Sequence, residues 1–94
     1  MTLRFEWDGR KARANLEKHE ISFQEAASVF GDPLSVTIPD PDHSTAEQRY
    51  IIVGLSRWQR LLVVVHSEEH QTIRIISARQ ATQRERRNYE EGIR

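Results

Sequence analysis

Six side chains in this sequence could share one reaction. Lys18 and His19 stand side by side, and Arg49, His66, Arg74 and Arg79 follow on three apolar-rich stretches. Cleavage of RNA without a metal ion needs such a set. A base takes the proton from a 2′-hydroxyl, cations offset the charge that builds on the phosphorus oxygens, and an acid protonates the leaving 5′-oxygen. Histidine titrates in the useful range, and arginine offers forked donors to phosphate. Each side chain also has a structural alternative. His19 can offset a helix dipole at a C-terminus. Arg74 can pair with Glu6 or Glu25, and Arg49 with Glu47 or another acid of the loop before it. His66 can be a satisfied, partly buried histidine. Arg84, Arg86 and Arg87 can form a solvated helix face. On residue types alone the set fits RNA binding, protein binding or stability.

Other chemistries find less support. His19, His43, His66 and His70 show no ligand spacing on a common helix, and there is no cysteine. Asp40-Pro-Asp-His lacks the remaining ligands and the glycine of a calcium loop. The glycines form no phosphate-binding fingerprint, and Ser67 beside His66 has no third group of a triad. No metal and no cofactor is expected.

The elements that must position the six residues can be read from periodicity. Leu3, Phe5 and Trp7 alternate with Arg4 and Glu6, which predicts a short first strand. Asp8 reads as the N-cap of a helix from about Gly9 to Lys18, with a thin apolar stripe of Ala12, Leu16 and His19 and a polar face of Lys11, Asn15 and Lys18. Ser22-Phe-Gln-Glu25 reads as a capping box for a helix whose Phe23, Ala26, Ala27 and Phe30 face a sheet. Gly31 can supply a left-handed cap, and Pro33 blocks continuation. Leu34–Pro39, Glu47–Ser56, Leu61–His66 and Thr72–Arg79 read as strands. Turns of hairpin length at 56–60 and 67–71 imply that the last three form an antiparallel meander. Thr82-Gln-Arg-Glu85 is a second capping box, opening a helix to about Glu91 with few apolar residues beyond Tyr89 and Ile93. The reading is one α+β domain over residues 1–94: an antiparallel sheet packed by helices in the order βααββββα.

Composition narrows the setting. No apolar run reaches the roughly 20 residues of a membrane helix. Met1 to Arg10 carries Arg4, Glu6, Asp8 and Arg10, unlike a signal peptide; a cytoplasmic protein is expected. The net charge of zero argues against a simple nucleic-acid coat protein, but the distribution is uneven. Residues 31–47 hold four acids and no Lys or Arg, whereas residues 73–94 hold six arginines. Only Lys11 and Lys18 are lysines, and arginine is favoured where bidentate contacts to phosphate or carboxylate matter.

FEWDGRKARANLEKHEISFQEA, VFGDP, DHSTAEQRY and IRIISARQATQRERRNYE together resemble the BrnT family, in order and over nearly the whole chain. The resemblance implies a toxin of a type II toxin–antitoxin pair, a compact relative of RelE-type ribonucleases that cleaves RNA and arrests growth. It implies neutralisation by a BrnA-like antitoxin with a ribbon-helix-helix DNA-binding part, in a complex similar to a 2:2 heterotetramer that reaches operator DNA only through the antitoxin. A non-catalytic, antitoxin-binding relative is the alternative. By motif match, Lys18 and His19 correspond to the family's Lys-His pair, Arg49 to the basic residue after the Asp-His-Ser loop, and Arg74 and Arg79 to the R-I-I-S-A-R block. Glu85 and Tyr89 match the E-x-x-x-Y tail. The expected roles are proton transfer for His19, phosphate stabilisation for Arg49 and Arg79, RNA contact for Lys18 and Arg74, and base stacking for Tyr89. Two positions depart from the pattern: Glu20 stands where a glycine is usual, and His66 ends its strand.

Overall fold

The computed structural model describes residues 3–42 and 48–92. His43 and Glu47, in the acidic loop, and Ile93 lie outside them. The element order is the one read from periodicity: β1 (Arg4–Glu6), α1 (Gly9–His19), α2 (Phe23–Ser28), β2 (Val36–Pro39), β3 (Arg49–Leu55), β4 (Leu61–Glu69), β5 (Thr72–Gln80) and α3 (Gln83–Glu91). A single sheet has the order β1-β5-β4-β3-β2. The pairs β3–β4 and β4–β5 are antiparallel, as their short turns require, and so is β2–β3, but β1 joins β5 in parallel. The sheet is therefore mixed.

One face of the sheet carries the core. Ile52, Leu62, Val64, Ile73, Ile75 and Ala78 pack there against Ile21, Phe23, Ala26 and Val29 from α2 and its flanks. Phe5, Trp7 and Ala12 close the edges, with Trp7 edge-on to Phe23. Gly54 lies where a side chain would collide with Val29 and Ser35 at 2.9 Å, so a glycine there lets α2 and its exit loop sit against β3.

Strict alternation along β5 would put Ile75 and Ala78 on opposite faces. The structure puts both in the core, because the register slips beside Val65/His66: Val65 opposes Ser77 while His66 opposes Ile75. Ile76 is the extra residue, and an extra residue reverses the facing of everything beyond it. Arg74 and Arg79, which alternation separates, thereby come to the same face.

Helix α1 also departs from its sequence reading. Asn15 is buried and Leu16 is half exposed, so the inward stripe is Ala12, Asn15 and His19. The Asn15 amide donates to Ala78 O at 2.9 Å and to Ile21 O at 3.0 Å, and its oxygen accepts from Ala78 N at 3.1 Å. Asp8 caps the helix as expected, accepting from Arg10 N and Lys11 N. Glu20 ends it in the left-handed conformation, φ 58° and ψ 33°. Gly31 is not left-handed; α2 instead runs out through a 3-10 turn at Val29–Gly31. The first capping box is only half formed. Ser22 accepts from Glu25 N, but the Glu25 carboxylate turns inward. The second, Thr82 with Glu85, is complete.

Two outcomes follow for stability. Asn15→Ala removes three buried hydrogen bonds and should cost about 3 kcal/mol in urea unfolding; a loss below about 0.5 kcal/mol, the range of a surface substitution, would contradict the bridging role. Glu20→Gly relieves a left-handed non-glycine residue and should raise stability by about 1 kcal/mol in the same assay.

Candidate functional site

The second face of the sheet is free of α1 and α2. Directly opposed residues share a face, so the register gives its rows. Near the β4–β5 turn lies Arg4–Thr72–Glu69, and next to it Glu6–Arg74–Ser67–Arg49. Ile38–Ile51–Val65–Ser77 and Val36–Val53–Val63–Arg79 follow. The upper two rows are polar and charged, the lower two mostly apolar. Helix α3 stands beside the lower rows. Asn88, Tyr89 and Glu85 wall a groove of about 440 Å³ over Val36, Ile38, Ile51 and Val53.

Arg49 and Arg74 flank Ser67 in one row, two strand spacings apart, so their backbones are roughly 10 Å from each other. Their long side chains can converge on one anion above Ser67. Arg74 Nη1 donates to Glu6 Oε2 at 2.9 Å, a single bond in which both side chains are about half exposed. Asp8 lies close enough that the Arg74 charge contributes to holding its carboxyl below the usual range, after the larger effect of the Lys11 and Arg10 N–H groups. Arg79 is held differently. Its Nη1 and Nη2 donate to the two oxygens of Glu85, each at 2.8 Å. That fork is engaged within the protein.

A cavity of about 240 Å³ opens at the polar end, lined by Glu6, Ser67, Glu69, His70, Thr72 and Arg74. His70 and Gln71 form the two-residue turn between β4 and β5, both with positive φ, 51° and 70°. Asn or Gly usually supplies such a conformation.

The other sequence-predicted residues lie elsewhere. Lys18 and His19 end α1, on the side of the sheet covered by helices; Lys18 is exposed and His19 partly so. His66 is fully buried on the core face, its Nε2 3.0 Å from Glu68 and its ring between Phe30 and Tyr50. Tyr89 is 9% exposed and donates to Asp32 Oδ2 at 2.7 Å. Burial, then the Asp32 bond, pushes its hydroxyl up to about 12. Its ring is committed to joining α3 to the loop before β2 rather than presented for base stacking. The structure thus brings Arg49 and Arg74 together and sets Lys18 and His19 apart from them. Among the described residues no three His, Asp or Glu side chains gather as a metal site.

Three features escaped the sequence reading. Glu25, 1% exposed, accepts from Arg60 Nε at 2.9 Å, from Arg60 Nη2 and from Ser56 Oγ at 2.7 Å. These contacts, the Arg60 hydrogen bonds first, hold its carboxyl below the usual range despite burial. Asp32 collects Leu34 N, Leu55 N and the Tyr89 hydroxyl. His70 reads in the sequence only as a candidate metal ligand inside a turn at 67–71; the structure narrows that turn to His70 and Gln71 and puts His70 with Arg74 at one cavity.

Comparison with known proteins addresses family and fold. The profile of a family described as "Ribonuclease toxin, BrnT, of type II toxin-antitoxin system" matches residues 7–85. The 1.1 Å crystal structure of the Brucella abortus ribonuclease toxin BrnT is similar with a TM-score of 0.68 at 21% identity, over 87% of this chain and 100% of that one. At that identity the likeness concerns the fold. No curated protein matches the chain.

The Arg79–Glu85 pair gives a pH dependence. Its hydrogen bonds, ahead of the other causes, bring the Glu85 carboxyl down from 4.5 to about 2. A carboxyl lowered on folding stabilises above its unfolded value and loses that contribution as pH falls through the folded one. Unfolding free energy should therefore drop between about pH 5 and pH 2, and Glu85→Gln should flatten that drop; an unaltered slope in the variant would contradict the pairing.

Proposed function

The chain belongs to the BrnT family of ribonuclease toxins of type II toxin–antitoxin systems, and from that membership we propose that it cleaves RNA without a metal ion on the sheet face opposite α1 and α2, at the polar end away from α3. The observation that carries this reading is the row Glu6–Arg74–Ser67–Arg49, which aligns two guanidinium groups across a small hydroxyl on an accessible surface. Two cations at one phosphate neutralise the charge that develops as a 2′-oxygen attacks, which is the task a metal would otherwise perform. Arg49 and Arg74 take the phosphate. Arg79, whose fork is closed by Glu85, positions the start of α3. Lys18 and His19 form a separate basic patch on the helix side, suited to a flanking stretch of backbone. The proton transfer expected of His19 passes in this reading to a group on the face opposite α1 and α2.

As a type II toxin the protein has an antitoxin partner. We take that partner to be BrnA-like, with a ribbon-helix-helix part that holds operator DNA, in a complex of two toxins and two antitoxins. A cytoplasmic setting accords with a substrate of cellular RNA. No helix among the described residues is long and apolar enough to cross a membrane.

Cleavage of end-labelled RNA by the purified protein, with and without EDTA, tests the reading. Cleavage should survive EDTA and fall about 100-fold or more in an Arg49→Ala, Arg74→Ala double variant that remains folded, while His19→Ala stays within about tenfold. Inactivity of the intact protein on both naked RNA and a translating extract would overturn the reading, as would activity abolished by EDTA.

A further inference from the structure

The polar cavity at the turn end of the sheet contains three chemically distinct groups. Glu6 offers a carboxylate, Arg74 a guanidinium and His70 an imidazole, with the Ser67 hydroxyl between the strands. The strand register places Glu6, Arg74 and Ser67 in one row of the face opposite α1 and α2, with Thr72 and Glu69 in the adjacent row. The cavity wall consists of those five residues and His70. We propose that this cavity is the cleavage centre, with Glu6 as general base, His70 as general acid and Arg74 as the phosphate clamp. The assignment rests on the ribonuclease reading above and names the groups that carry it out.

The chemistry balances with these residues alone. Glu6 takes the proton of a ribose 2′-hydroxyl as the 2′-oxygen forms a bond to phosphorus. The bond from phosphorus to the 5′-oxygen breaks, and protonated His70 gives its proton to that oxygen. The products are a 2′,3′-cyclic phosphate and a 5′-hydroxyl, with no oxidant, reductant or metal consumed.

The contrast between the two arginine pairs supports Arg74 as the working one. Arg79 meets Glu85 through two bonds and caps a helix, whereas Arg74 meets Glu6 through one. The single contact leaves a Glu6 oxygen as a proton acceptor and leaves Arg74 further donors for phosphate. Among the charged groups around the cavity, Glu69 lines it from β4, Arg4 extends its row on β1, and Asp8 approaches Arg74 from the cap of α1. The turn itself adds an argument. His70 is held at φ 51°, in a region that costs a non-glycine residue free energy. Strain of this kind is tolerated where a side chain has a task, and here it sets the imidazole at the cavity rim.

Kinetics of a short end-labelled RNA across pH 5–9, a window set by roughly where an imidazole titrates, tests the assignment. The variants are Glu6→Gln, His70→Asn and His70→Gly, the last two compatible with the left-handed turn. Each should lower kcat by about 100-fold or more. The His70 variants should lose the alkaline limb of the profile, and wild-type products should carry a 2′,3′-cyclic phosphate. Cleavage by the intact protein with all three variants within threefold of it, about 0.65 kcal/mol by the thermal-energy relation, and with unchanged profiles would overturn the cavity while leaving the ribonuclease reading in place. An intact protein inactive on RNA both free and in a translating extract would overturn both.

Discussion

Beyond Glu6, strand β5 has no neighbouring strand on its outer side among the described residues, and the side-chain amide of Asn15 takes the place of one. It donates to the carbonyl of Ala78 and accepts from its N–H, the two bonds an adjacent strand would have made. A third bond ties the same amide to Ile21 O, at the entry to α2. Buried backbone groups left unpaired would cost about 1–3 kcal/mol each, so this one side chain fixes where β1 can stop and α1 can begin. It also holds Ala78 in the core. Given that anchor, the extra residue at Ile76 is required to keep Ile75 in the core as well, and the bulge turns Arg79 to the face that carries Arg74.

That face carries two ion pairs of different geometry. At the α3 end, Arg79 and Glu85 close on each other while Tyr89 locks onto Asp32. These bonds hold a helix that has little apolar surface of its own. At the turn end, the pair of Arg74 and Glu6 is open and half exposed, and Arg49 stands two strands away in the same row. Glu25 and Arg60 do a related service on the covered side, where a carboxylate from α2 is held at the base of β4. Interaction strength thus follows position: closed forks where elements are joined, an open one where we propose that phosphate binds.

Much of this architecture was legible in the sequence because its signals are local. Asp8, Ser22 and Thr82 mark helix starts, and alternation in Val36–Ile38 and Arg49–Leu55 marks strands and their faces. The parallel placement of β1 was not legible, since nothing in Leu3–Trp7 specifies which distant strand it meets. Asn15 was misread as a solvent-facing residue because an amide at helical spacing looks polar until its backbone partners are known. The bulge at Ile76 hid for a related reason: a slip in register is set by the neighbouring strand and by Ala78, not by the residues of β5. The basic residues were identified by type, but their grouping depended on faces. The bulge brings Arg79 to the face of Arg74, while α1 packs on the other face and carries Lys18 and His19 away from them.

The central claim is that RNA lies across the sheet face opposite α1 and α2, at its polar end. Backbone amide shifts of the labelled protein, titrated with a short RNA whose 2′-hydroxyls are methylated so that it binds without being cut, address it directly. The account expects the perturbed amides to cluster at Glu6, at Arg49 and over Ser67–Arg74, with those of Val36–Ile38 and α2 unaffected. A cluster centred on Lys18, His19 and the end of α1, with residues 67–74 silent, would contradict it.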